Sequence, residues 1–160
     1  MLSKTEKNIR KIKFSFQKKT NLPKRGILKQ LLLTIFKKQK KSLSSLDIVF
    51  CTDEYLLDIN KANLNHDYLT DTITFNFTPS GEKELIGEIY ISSDRVKENA
   101  RTFNTTFQNE LLRVLIHSTL HLCGYKDKTP SQKKEMTLME DHYLKTYQKI
   151  RSTWNVGGTA

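Results

Sequence analysis

The chain has 160 residues, 37% of them hydrophobic and 28% charged, with a formal net charge of +10. That length suffices for one sizeable core and leaves little room for a second domain. Two distant cysteines, Cys51 and Cys123, with no CxxC spacing argue against a disulfide framework and a zinc ribbon, and no apolar run approaches the roughly 20 residues that span a bilayer.

The first segment, MLSKTEKNIRKIKFSF, lacks the apolar stretch and small-residue cleavage site of a signal peptide. With the cysteine usage, this gives the expectation of a cytoplasmic protein without a membrane partner. Ile12, Phe14 and Phe16 then alternate with Lys13 and Ser15, the pattern of a half-buried strand. A helix is expected from about 23 to 40, with Leu28, Leu31, Leu32, Ile35 and Phe36 at helical spacing.

That helix ends in Lys37, Lys38, Lys40 and Lys41, within an uneven charge distribution. Residues 1–41 hold 14 Lys and Arg against one acid, whereas the remainder holds 13 against 16. The basic surplus therefore belongs to the first quarter of the chain. Two readings stand: a solubilising face, or a surface that draws a polyanion to one side of the molecule.

Further along, SLDIVFCT reads as a strand, and DEYLLDINKANLN as a helix that Asp53 is placed to cap. DTITFNF alternates, PSGE reverses the chain, and LIGEIYIS completes a hairpin. Three helices close the chain, at roughly 93 to 103, 106 to 123 and 130 to 150. The expected fold is a single α+β domain over residues 1–152, a small mixed sheet covered by helices, with residues 153–160 as a frayed tail.

The segment HSTLHLCGYKD, residues 117–127, carries the chemistry. His117 and His121 lie one helical turn apart, near the end of a helix with apolar Leu112, Leu115, Ile116 and Leu120. Gly124 is suited to end that helix in a left-handed conformation, and the turn lets Asp127 approach the two imidazoles. Two histidines and one carboxylate leave a coordination position open, as in catalytic zinc sites. A metal held there acts as a Lewis acid and activates water. Zinc peptidases share the spacing, but they place a glutamate general base after the first histidine. Here that position is Ser118, so the peptidase alternative lacks its base.

HSTLHLCGYKD resembles the HGxLHLxGYDH signature of the YbeY-type endoribonucleases. LNHDYLTDTITFNF is similar to that family's LN…TDVLSF segment, GEIYIS to its GDIxIS strand, and EMTLME to the E-M-x-x-x-E of its last helix, while Glu110 stands seven residues before the first histidine. The resemblance implies a metal-dependent, single-strand endoribonuclease acting in ribosomal RNA maturation and ribosome quality control. It implies one Zn2+ per chain, with another divalent metal as the alternative, held by His117, His121 and Asp127. Ribosomal RNA precursor is the implied partner, with the ribosomal subunit or assembly proteins as further candidates.

Two positions depart from the family pattern. Asp127 stands where the family usually has a third histidine, and the family's arginine between its LN and TD elements is missing from HDYL. His66 is the candidate phosphate contact in that interval, alongside Lys37, Lys38, Lys40 and Lys41, and no general base is identified. The alternatives are an RNA-binding assembly factor without nuclease activity and a metal-stabilised scaffold for protein partners.

Overall fold

A computed structural model describes residues 1–156 of the chain. Ten elements follow in order: α1 (Lys4–Ile9), β1 (Ile12–Phe16), α2 (Arg25–Lys38), β2 (Ser42–Cys51), α3 (Asp53–Leu64), β3 (Thr72–Asn76), β4 (Glu84–Ser92), α4 (Ser93–Thr102), α5 (Phe107–Leu122) and α6 (Pro130–Val156). The strands form one sheet in the order β1-β2-β4-β3. β1 and β4 run parallel to β2, and β3 pairs antiparallel with β4 on the outer edge. The expected mixed sheet and its hairpin are both present.

The two faces of the sheet are unequal. Ile12, Leu46, Ile48, Phe50, Leu85, Ile89 and Ile91 point into a core completed by α2, α5 and α6. The opposite face carries a smaller cluster of Cys51, Leu56 and Ile73, to which α3 contributes Leu56. On β3 this alternation sends Ile73 to the α3 side and leaves Thr72 and Thr74 on the side of α5. The Thr72 hydroxyl lies 2.8 Å from that of Ser118, tying α5 to the strand edge.

α5 is the buried helix of the domain. Its buried residues run on several sides, from Leu111 and Leu112 to Leu120 and Leu122, so it must be wrapped by neighbours. Two buried hydroxyls inside it are satisfied locally: Ser118 and Thr119 donate to the carbonyls of Val114 and Leu115, both at 2.8 Å. Their roles are therefore structural.

Four details differ from the sequence expectations, each for a physical reason. α1 has no buried residue and so no apolar period to betray it; a capping box between Ser3 and Glu6 holds it. β2 begins at Ser42, because a bulge between Leu43 and Ser45 breaks the alternation while Leu43 still pairs with Leu85. The cap of α3 is Thr52, whose hydroxyl accepts from the Tyr55 amide. Asp53 instead accepts from Ser92 Oγ and Arg95, joining α3 to α4. Finally, α6 continues through Val156, so residues 153–156 of the expected tail are helical; residues 157–160 lie outside the described residues.

Candidate metal centre

The site is built at the C-terminal end of α5. His117 and His121 face the same way, and the helix then stops in a Schellman motif: Gly124 N–H donates to the His121 carbonyl and Tyr125 N–H to that of Leu120, both at 3.0 Å. Gly124 has φ +105°, a conformation that costs an L-residue its Cβ clearance. The reversal brings Asp127 Oδ2 to 3.3 Å from the Nε2 atoms of both His117 and His121. Among the described residues, these three form a group whose ligand atoms all lie within 4.8 Å of one another.

Hydrogen bonds fix which nitrogen of each ring is free. His121 Nδ1 lies 2.9 Å from the Tyr125 carbonyl, which can only accept, so Nδ1 carries the proton. His117 Nδ1 lies 2.9 Å from Glu140 Oε2, and an ionised Glu140 likewise receives its proton. Both Nε2 atoms therefore present lone pairs, and they face each other at 2.9 Å. Two neutral imidazoles in that arrangement repel unless a cation or a proton lies between them. Zinc–nitrogen and zinc–oxygen bonds of about 2.0–2.2 Å fit donor atoms separated by roughly 3 Å. The donor set and its spacing thus suit a divalent metal.

The surroundings favour positive charge. Burial opposes the imidazolium of His117, yet the hydrogen bond it donates to Glu140 and the charges of Glu140, Asp127 and Asp71 outweigh it and raise its pKa. Burial raises the Asp71 carboxyl, partly offset by His117. Burial also raises Glu110, and the charge of Asp71 adds to the effect. Glu140 is buried and shared with Arg113, which also reaches Asp141.

His117, His121 and Asp127 open onto a cleft of about 370 Å³, also lined by Asn60, Leu64, His66, Tyr68, Thr70, Asp71 and residues 72–74 of β3. His66 therefore lines the same cleft as the three residues. Lys37, Lys38, Lys40 and Lys41 are exposed and do not line the cleft. Lys41 nonetheless lies close enough to Cys123, at the end of α5, to counter the burial that pushes that thiol up to about 11.

Glu140, Asp71 and Tyr68 have no role among the expectations from sequence. A signal existed for Glu140: it interrupts the apolar stripe Met136, Tyr143 and Tyr147 at helical spacing, where an acid requires a partner. Asp71 gave no such signal, because its approach depends on strand pairing.

The model of the family Endoribonuclease YbeY matches residues 6–148. A protein of Cytophaga hutchinsonii named Endoribonuclease YbeY is 48% identical over 134 residues, covering 82% of this chain and 92% of that protein. One of the same name from Chlorobaculum tepidum is 43% identical over 118 residues, covering 74% and 85%. The solution structure of a Thermotoga maritima protein superposes with a TM-score of 0.58 at 28% identity, covering 92% of this chain and 93% of the other.

Proposed function

The chain belongs to the Endoribonuclease YbeY family, and from that membership we propose that it is a metal-dependent endoribonuclease that cleaves single-stranded RNA in ribosomal RNA maturation and ribosome quality control. The observation that carries the reading is the convergence of His117 Nε2, His121 Nε2 and Asp127 Oδ2 at the open end of the cleft. Zinc, one ion per chain, is the metal this donor set suits best; the aspartate in place of a third imidazole also leaves room for a harder divalent ion. When bound, such an ion supplies the Lewis acidity that polarises a phosphoryl oxygen and activates water.

The chain's own residues perform the remaining work. Glu140 and the Tyr125 carbonyl hold the imidazoles in the tautomer that turns Nε2 toward the cleft. Asp71, beside His117 and with its carboxyl raised by burial, is suited to exchange a proton at the cleft wall. His66 lines the approach to the centre. Lys37, Lys38, Lys40 and Lys41 steer the polyanion toward that end of the molecule. No helix among the described residues is long and apolar enough to cross a membrane, and the reading places the protein in the cytoplasm, with ribosomal RNA precursor, the ribosomal subunit and assembly proteins as partners.

The experiment is elemental analysis of the purified protein together with a cleavage assay on single-stranded RNA. The expected result is one divalent metal per chain and cleavage, both diminished in Asp127→Ala. Metal without cleavage favours the alternative of an RNA-binding assembly factor, and full occupancy with full activity in Asp127→Ala removes that residue from the ligand set.

A further inference from the structure

The loop between α3 and β3 forms a wall of the metal-bearing cleft. Its exposed residues His66 and Tyr68, with Leu64 at the end of α3, line the same cleft as His117, His121 and Asp127. The Tyr68 ring stacks on that of His66, with centroids 5.0 Å apart and planes inclined by 23°. Its hydroxyl lies 3.0 Å from His66 Nδ1, and 56% of the residue remains exposed. A lone exposed aromatic residue needs no explanation. This one, however, is oriented by a second ring and stands in the cleft that holds the metal ligands.

The loop that carries it is anchored. Asn65 ends α3 in the left-handed region with φ 58°. Asn60, at 1% exposure, donates its side-chain amide to the Tyr68 carbonyl at 3.0 Å, and its own carbonyl accepts from the His66 amide at 3.3 Å. A buried asparagine thus fixes the backbone on both sides of the stacked pair. Such pre-organisation lowers the entropy that a ligand must remove on binding.

Unpaired RNA is recognised by splaying out bases and stacking them on aromatic rings, a mode that a paired base cannot enter. We infer that Tyr68, backed by His66, is a stacking platform for one unpaired nucleobase beside the phosphate presented to the metal centre, and that it sets the site's preference for single-stranded RNA. The inference rests on the endoribonuclease reading above and adds the contact that selects the strand. Asn60 spends its amide on Tyr68, and Thr70 gives its hydroxyl to the Thr72 carbonyl. This wall therefore reads base identity weakly, and the stacking tolerates any base.

The test is equilibrium binding of a labelled single-stranded RNA to the metal-loaded full chain. It is repeated with the strand annealed to its complement, and with one abasic nucleotide placed at successive positions. Tyr68→Ala is expected to lose affinity for the single strand by on the order of 10- to 100-fold. Tyr68→Phe, which keeps the ring and drops the hydroxyl, is expected to stay close to the wild type. An abasic nucleotide at one position should reproduce the loss in the wild type and add nothing in Tyr68→Ala. Unchanged affinity in Tyr68→Ala, or an equal loss in Tyr68→Phe, overturns the inference while leaving wild-type cleavage intact. Absence of both RNA binding and cleavage in the wild type overturns the endoribonuclease reading with it.

Discussion

Glu140 Oε2 stands 2.9 Å from His117 Nδ1, so a helix outside the candidate ligand group sets the tautomer of an imidazole within it. The contact crosses from α6 to α5, and Arg113 holds the other oxygen of the same carboxylate at 3.0 Å. Glu140→Gln offers His117 a neutral amide in place of a carboxylate that can only accept. Metal affinity should fall by roughly 10- to 100-fold, the usual range for partners of this kind. Competition against a chelator of known affinity measures it, and an unchanged affinity would show that His117 needs no such support.

Between about pH 8 and 6 the metal-free protein should become more stable as pH falls. His117 has a folded pKa above its ordinary 6.5, so its contribution is fully present below about pH 6.5 and is lost as pH rises through the raised value. Asp71 and Glu110, also raised, act in the same sense at lower pH. Metal binding requires the unprotonated imidazole and runs the other way. Thermal unfolding with chelator and with saturating metal should therefore show opposite pH trends between about pH 6 and 8. Parallel trends would contradict the assignment of His117 as a ligand.

Gly124→Ala separates backbone conformation from packing. A Cβ placed there meets no atom within 4 Å, so steric crowding by neighbours does not enter. What remains is the positive φ of 105°, which for an alanine costs about 1 to 2 kcal/mol. Urea unfolding should show a loss of that size, with a fall in metal affinity because the turn positions Asp127.

Neutralising Lys37, Lys38, Lys40 and Lys41 together should weaken RNA binding and flatten its salt dependence. Each contact with a single-strand phosphate adds about 0.7 to the log–log slope, so the four together account for at most about 3. Metal content should not change, since none of the four lines the cleft. Equal slopes for wild type and variant would assign these lysines to solvation alone.

The grouping of His117, His121 and Asp127 was legible in the sequence because it is local. One helical turn separates His117 from His121, and one glycine turn returns Asp127, so spacing and composition carry the geometry. The carboxylate that orients His117 was less so, because Glu140 arrives through the tertiary packing of α6 on α5. The strands were legible wherever alternation survived, as in β1, and blurred where the bulge in β2 interrupted it. Asp53 misled because aspartate and threonine are both good caps; the chain places Thr52 first and uses Asp53 to hold Arg95.

The three candidate ligands fall between residues 117 and 127, which has a consequence for how the chain acquires its fold. Closing so short a segment around an ion costs little chain entropy. The unfolded chain therefore retains some affinity for the metal, and the stabilisation gained by saturating the native state falls short of the value calculated from native binding alone. The same locality lets an ion gather the end of α5 and its turn early, before strands separated by long loops have paired. Metal present during refolding should then speed the folding limb as well as slow the unfolding one, to the extent that this turn is formed in the transition state.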